Sequence, residues 1–174
     1  LIVIHDHLDD VSVILSSSEI VNSSTVKNHK QLSLSQPTLI LSSNRCNSIG
    51  IKTSKNCSCI IDDNWSKEDI LKLTFAKKED IELKINGLIQ EKSNITNFCL
   101  SLLKKAKLLP CAIMSIVSNI DSNNIKKWAM KNDLMYLDVD DIEFKSEVKN
   151  DDLEIIVKTH LPIKETNDCD FVLF

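Results

Sequence analysis

The first ten residues hold the densest group of side chains that could do chemistry. They read LIVIHDHLDD, so His5 and His7 lie two residues apart with Asp6, Asp9 and Asp10 beside them. Residues two apart in an extended segment point to the same side. Imidazole and carboxylate groups hold divalent cations in proteins. His5 and His7 are therefore weak candidate metal ligands, and the alternative is a polar loop that follows a buried strand.

The six cysteines favour burial over metal binding or disulfides. Cys57 and Cys59 alternate in the run CSCII, which predicts that both face the same side of a strand. A C-x-C pair lacks the paired spacing of a zinc knuckle, and disulfide frameworks are typical of short secreted chains. We expect reduced, buried thiols in a cytosolic protein. The cysteines are Cys46, Cys57, Cys59, Cys99, Cys111 and Cys169.

Several other kinds of active site lack their sequence signatures. With two glycines, Gly50 and Gly87, the chain has no G-x-G-x-x-G or Walker loop, which need glycine close to phosphate. Arg45 is the only arginine, so bidentate clamps on phosphate are scarce. His29 and His160 have no partner visible in the sequence. A Ser-His-Asp triad stays open because triads form in space, although no G-x-S-x-G elbow occurs.

Composition indicates an ordinary globular chain. Of 174 residues, 43% are hydrophobic and 26% charged, with a net charge of −4. That length suits one medium domain, or one domain with an appendage. The negative charge argues against a nucleic-acid binder, and no apolar run approaches the ~18 residues of a membrane span. No secretory signal is visible. We therefore expect a cytoplasmic protein without a nucleic-acid or membrane partner.

The hydrophobic periodicity predicts an α/β (α+β) protein in which strands and helices alternate. After residue 110 a strand, a helix, a strand and a helix follow in succession, which is a βαβ arrangement. The turn Asn-Asp-Asp at 150–152 marks a candidate boundary. Strands are predicted at 1–4, 11–15, 38–41, 57–61, 81–85, 111–117, 134–139 and 153–161. Helices are predicted at 17–30 (weak), 66–74, 96–107, 123–132 and 140–149.

The order of these elements resembles a known family. The stretch LLPCAIMSIVSNIDSNNIKKWAMKNDLMYLDVDDIEF, from Leu108 to Phe144, resembles the pattern L-P-P-A-G-V-I-C-E-I-M-N-D-D-G, a helix, and H-G-L-K-L-V-S-I-A-D-L-I. LIVIHDHLDD resembles the same family's first strand and acidic loop, and WSKEDILKLTF resembles its I-S-A-A-D-R-A-R-T-I helix. The family is the 3,4-dihydroxy-2-butanone 4-phosphate synthase domain of riboflavin biosynthesis, as fused ahead of GTP cyclohydrolase II.

The resemblance implies mixed β-sheets with flanking helices, a domain organisation and partners. Residues 1–150 correspond to the synthase-like domain, and residues 151–174 resemble the first strand of GTP cyclohydrolase II. The family is a homodimer with its sites between subunits, so a homodimer is expected here. An attached or partner GTP cyclohydrolase II is the other implied partner.

This sequence differs from the family pattern at the positions of the family's metal-binding and acid–base residues. The family binds Mg²⁺ through a glutamate of R-E-N-E and the histidine of G-H-T-E, and the latter motif reads Asn94, Ile95, Thr96, Asn97 here. The glutamate of I-C-E-I falls on Ile116. Aliphatic side chains neither bind a cation nor transfer a proton. The chemical groups that survive are weak substrate-cleft candidates, namely Asp6, Thr96 and Asn119, with Asp9 and Asp10 as acidic stand-ins.

Three hypotheses follow. The first, which we favour, is a catalytically degenerate pseudoenzyme domain with a structural or dimerising role, no catalytic residues and no cofactor. The second is an active lyase that converts ribulose 5-phosphate to 3,4-dihydroxy-2-butanone 4-phosphate and formate, with Mg²⁺ or Mn²⁺ in a rebuilt site. The third is the N-terminal part of a bifunctional protein whose activity lies in a GTP cyclohydrolase II.

Overall fold

The structure is a computed structural model that describes residues 1–75, 89–90, 93–118, 120–142, 154–161 and 169–173. The strand predicted at 81–85, most of the helix predicted at 140–149 and the candidate Asn119 lie outside these residues. Contacts divide the chain into two compact units, Leu1–Ile142 and Glu143–Phe174. The domain boundary near residue 150 stays a prediction.

The first unit is built on a seven-stranded mixed sheet in the order β5-β4-β3-β6-β2-β1-β7. Its described elements, in chain order, are β1 (Ile2–Asp6), β2 (Val11–Ser17), a 3₁₀ turn (Ser18–Ile20), α1 (Thr25–Ser33), β3 (Thr38–Leu41), α2 (Ser43–Ser48), β4 (Cys57–Ile60), α3 (Lys67–Phe75), β5 (Ile89–Gln90), α4 (Asn94–Lys105), β6 (Cys111–Ile116), α5 (Ser122–Lys131), β7 (Met135–Asp138) and a second 3₁₀ turn (Val139–Asp141).

The sheet is antiparallel except at one edge. Strand β1 pairs antiparallel with β2, β2 antiparallel with β6, and β7 parallel with β1. Strands β6 and β7 therefore run parallel with β2 and β1 between them, and α5 makes the crossover. The predicted βαβ succession is present in this split form, and the α+β class of a mixed sheet with flanking helices is confirmed.

Alternating side chains give the sheet two buried faces. On one face Ile4, Val13, Ile40 and Met114 pack against α4. On the other face the sheet packs against α1, α2, α3 and α5, where Cys57 and Cys59 lie together with Cys46 and Cys111. The alternation of CSCI thus places both cysteines on one face, as predicted.

Local signals account for the positions of α3 and α4. Ser66 precedes α3, and its Oγ accepts a hydrogen bond from the backbone N–H of Asp69 at 3.2 Å. The Asp69 carboxylate accepts in return from the Ser66 N–H at 2.8 Å, which forms a capping box. In α4 the apolar stripe buries Ile95, Cys99, Leu100 and Leu103.

The continuous helix predicted at 17–30 is wrong. A 3₁₀ turn at Ser18–Ile20 is followed by a break and then by α1 at Thr25–Ser33. Asn22 causes the break, because its Oδ1 accepts hydrogen bonds from Ser24 and Thr25. Asn and Ser side chains that bond to nearby backbone compete with helix formation.

The second unit, in its described part, is the antiparallel hairpin of β8 (Val157–Leu161) and β9 (Cys169–Leu173). None of the helices described is long and apolar enough to span a bilayer.

Candidate functional site

The acidic loop of the sequence is the tight turn between β1 and β2. Asp6 pairs with Val11, so residues 7–10 form the turn. The Asp6 Oδ1 accepts hydrogen bonds from the backbone N–H of Leu8 at 2.9 Å and of Asp9 at 3.4 Å. Asp10 has a φ of 50°, in the left-handed region that aspartate tolerates better than most residues. Asp6 therefore holds the turn together.

The two histidines form a continuous hydrogen-bonded chain. The Nε2 of His7 lies 2.6 Å from the Asp138 Oδ2, and its Nδ1 lies 3.0 Å from the His5 Nε2. The Nδ1 of His5 lies 2.8 Å from the Ser12 Oγ. With both rings neutral, one proton arrangement satisfies every bond: Ser12 donates to His5, His5 to His7, and His7 to Asp138. Both ring nitrogens of each histidine are thus engaged.

Asp9 and Asp10 point to different helices. The Asn94 amide at the start of α4 donates to the Asp9 Oδ2 at 3.3 Å. The Ser122 hydroxyl at the start of α5 donates to the Asp10 Oδ1. The structure therefore brings the acidic turn beside the N-termini of α4 and α5, but it separates the two carboxylates.

Ile95 and Ile116, which stand where the family pattern has a histidine and a glutamate, lie in contrasting environments. Ile95 is 3% exposed and belongs to the apolar cluster between α4 and the sheet. Ile116 ends β6 and is 51% exposed. Thr96, the neighbour of Ile95, is fully buried. The position that the resemblance assigns to the metal-binding histidine is therefore filled by core packing.

These side chains do not fit a Mg²⁺ ion in the arrangement that they adopt. Mg²⁺ takes carboxylate and carbonyl oxygens in near-octahedral geometry. Asp6 and Asp9 each accept hydrogen bonds from their neighbours, and both ring nitrogens of His5 and of His7 are hydrogen-bonded. In the part of the chain that the structure describes, no three His, Cys, Asp or Glu side chains are grouped so that they could hold a metal ion.

A second buried histidine has partners that the sequence did not reveal. The Nε2 of His29 on α1 lies 2.9 Å from the Ser16 Oγ, and its Nδ1 lies 2.8 Å from the Ser115 Oγ. Burial lowers the pKa of His29 to about 4, so the ring is neutral at neutral pH. Ser115 is 86 residues away, and only the pairing of β2 with β6 brings it near Ser16.

The described cysteines are buried free thiols: Cys46, Cys57, Cys59, Cys99 and Cys111. Burial raises the pKa of Cys46, Cys59 and Cys99 to about 12. A thiol is reactive as the thiolate, so these groups are inert core residues at neutral pH.

The seven-stranded mixed sheet with its flanking helices defines an α+β fold, and this fold is similar to that of the 3,4-dihydroxy-2-butanone 4-phosphate synthases. The comparison with solved structures shows this fold. RibBX of A. baumannii, a two-domain 3,4-dihydroxy-2-butanone 4-phosphate synthase, superposes with a TM-score of 0.60 at 14% identity over 98% of this chain and 61% of its own. The synthase of Candida albicans gives 0.59 at 11% identity over 80% of this chain and 87% of its own.

At these identities the likeness shows the fold, and the resemblance read from the sequence is confirmed at that level. No protein-family model and no curated protein matches the sequence. The chain spans 61% of the length of RibBX.

Proposed function

We propose that this chain is a 3,4-dihydroxy-2-butanone 4-phosphate synthase-like domain of riboflavin biosynthesis that has lost its lyase chemistry and serves a structural, dimerising role. The observation that carries the proposal is Ile95. It is 3% exposed and packs in the apolar core at the position that the resemblance assigns to a metal ligand.

The chemistry that the resemblance implies needs groups that this site lacks. The synthase reaction enolises ribulose 5-phosphate, rearranges its carbon skeleton and releases formate. Such steps use a metal ion that polarises adjacent oxygens and side chains that move protons. Each acid or base is worth about 10²–10⁴ in rate. Isoleucine at positions 95 and 116 removes two such groups, and the turn carboxylates bond to Asn94 and Ser122.

Formate release tests the proposal directly. The purified chain is incubated with ribulose 5-phosphate and Mg²⁺ or Mn²⁺, and formate is measured against a buffer control. We expect no formate above the control. Turnover at ordinary enzyme rates would overturn the proposal in favour of the active lyase.

A calorimetric titration with Mg²⁺, Mn²⁺ and Zn²⁺ separates the same alternatives by binding. We expect no binding heat, because the turn side chains already bond to one another and to their neighbours. Binding that disappears in the His7→Ala variant would support a rebuilt metal site.

The oligomeric state of the purified chain tests the dimerising role. Light scattering on the eluting chain should give twice the mass of one chain at micromolar concentration. A strictly monomeric chain would leave the domain without this role.

A second candidate is that the chain is part of a two-domain protein with GTP cyclohydrolase II. RibBX, a two-domain synthase, aligns over 98% of this chain, and the Candida albicans synthase aligns over 80%. The greater coverage by the two-domain protein supports residues 151–174 as the start of another domain. We expect no zinc-dependent formate release from GTP by this chain alone, and co-elution with an added GTP cyclohydrolase II would support the partnership.

A further inference from the structure

Two cavities meet where β2 ends, away from the acidic turn. The first is a polar cleft of about 240 Å³, lined by the hydroxyl and amide side chains of Ser16, Ser17, Asn22, Ser24, Thr25 and Asn28. The second is an apolar groove of about 350 Å³ whose walls include Leu15, Leu102, Leu103, Ala106, Leu108 and Met135. Ser16, Ser17, Leu1 and Ile20 line both cavities.

Ser16 therefore lies at the junction of a polar and an apolar cavity. Its hydroxyl is 2.9 Å from the Nε2 of His29, and the other nitrogen of that ring is 2.8 Å from the Ser115 hydroxyl. His29 is fully buried, whereas Ser16 is partly exposed. When the Nδ1–H of His29 donates to Ser115, its Nε2 accepts the Ser16 proton. A hydroxyl, a base and a group that orients the base form the arrangement of an activated nucleophile.

The linings of the cavities indicate the class of ligand. Among the described residues, the side chains that line the two cavities are uncharged and match an uncharged ligand, and the nearby cation is the α-amino group of Leu1, which acts on His29. A molecule with an apolar chain and a neutral polar head could fill the groove and the cleft together. The bond between its two parts would then lie beside the Ser16 hydroxyl.

We propose that Ser16 is a nucleophile activated by His29, in a site that hydrolyses neutral amphipathic carboxylic esters whose acyl chain lies in the apolar groove and whose alcohol lies in the polar cleft. This activity is independent of the lyase chemistry discussed above.

The reaction balances with water as the only co-reactant. The Ser16 Oγ attacks the carbonyl carbon, and its proton passes to the His29 Nε2. The bond between the carbonyl carbon and the alcohol oxygen breaks, and His29 returns the proton to the leaving alkoxide. Water then attacks the acyl-serine and gives a proton to His29, so that the carboxylic acid leaves and the Ser16 hydroxyl is restored.

The chain contains a competing pair that provides a matched control. Ser12 bonds to His5 at 2.8 Å, but Ser12 is buried at 8% exposure and lines neither of these cavities. If hydrogen bonding to a histidine were sufficient, Ser12 would react as well as Ser16. If the cavities are required, only Ser16 will react.

The experiment uses an alkyl fluorophosphonate, which forms a stable bond to a serine Oγ with loss of fluoride. The whole chain is incubated with an octyl probe, and tandem mass spectrometry of its peptides locates the label. We expect a single label on Ser16, no label in Ser16→Ala and full labelling in Ser12→Ala. His29→Gln should slow labelling by about 10²-fold or more, the typical contribution of a general base.

Two further readouts separate a nucleophile from a structural serine. Because burial lowers the pKa of His29 to about 4, labelling should persist as the pH falls to about 5 and should decline below that. An octyl probe should react at least tenfold faster than a methyl probe, because the apolar groove binds the longer chain. Circular dichroism confirms that each variant is folded.

The wild-type result decides the proposal even if a variant fails to fold. Absence of any label on the folded wild-type chain, or a label located on Ser12 or another serine, would overturn it. Equal rates for the octyl and methyl probes would remove the assignment of the groove to the acyl chain.

Discussion

Two buried histidines, His5 on β1 and His29 on α1, have different partners. His5 belongs to a chain of hydrogen bonds that passes through His7 and ends on the carboxylate of Asp138. His29 contacts the hydroxyls of Ser16 and Ser115, which carry no charge. Burying a charge is costly unless it is paired, so protonation of His29 opposes folding.

His29 should therefore make the fold sensitive to acid. Its pKa is about 4 in the folded chain against 6.5 as the ordinary value, so the unfolded state binds the proton first as the pH falls. Stability is unaffected above about pH 7, declines between pH 6.5 and 4, and loses roughly 3 kcal/mol in all. Urea unfolding at several pH values measures this loss. In His29→Gln the decline over this window should be smaller, and an identical decline in both proteins would contradict the assignment.

Ile95 and Ile116 should differ in how much they contribute to the stability of the fold. Ile95 is packed in the core, so Ile95→Ala should cost about 2–5 kcal/mol through lost burial and a residual cavity. Ile116 is half exposed, so Ile116→Ala serves as the control and should cost less than about 1 kcal/mol. Chemical denaturation of both variants measures the difference. Equal costs would mean that Ile95 does not contribute to stability as a packed core residue.

Two helices begin at serines whose side chains make different capping hydrogen bonds. Ser66 and Asp69 form a reciprocal capping box before α3. Ser24, at the N-cap of α1, makes no side-chain cap bond. Ser66→Ala should therefore lower stability by about 1 kcal/mol, the usual value of an N-cap, whereas Ser24→Ala should have a much smaller effect. Thermal unfolding compares the two variants, and equal losses would rule out the cap as the cause.

The elements were predictable where one local signal dominated. The capping residues before α3, the apolar stripe of α4 and the run of β3 each indicated the right structure. The predicted helix at 17–30 was wrong because Asn22 bonds to the next residues and starts α1 three residues later. The spacing of hydrophobic residues carries no information about hydrogen bonds between neighbouring polar residues.

The candidate site was only partly predictable for a related reason. The turn at residues 7–10 fixes the pairing of His5 with Ser12. A pairing across so short a turn can be predicted from the sequence. The contacts of His29 with Ser115 and of His7 with Asp138 depend on strand pairings across more than 80 residues. Short-range patterns do not specify those pairings, so the partners became visible only in the folded chain.

The strands of the two units differ in how much apolar surface they bury. In the first unit β2 and β6 are central strands with buried side chains on both faces. In the hairpin of the second unit, Val157, Phe171 and Leu173 are 46%, 49% and 47% exposed. A two-stranded hairpin that buries little is marginally stable in water.

Hydrogen exchange should reveal this contrast directly. In the isolated chain, the amides of β2 and β6 should exchange only through extensive unfolding, whereas those of β8 and β9 should exchange within the first time point. If a GTP cyclohydrolase II partner completes the second unit, its addition should slow exchange in β8 and β9 and leave β2 and β6 unchanged. Bovine serum albumin serves as the control for non-specific protection. Strong protection of β8 and β9 in the isolated chain would mean that the hairpin is already complete and needs no partner.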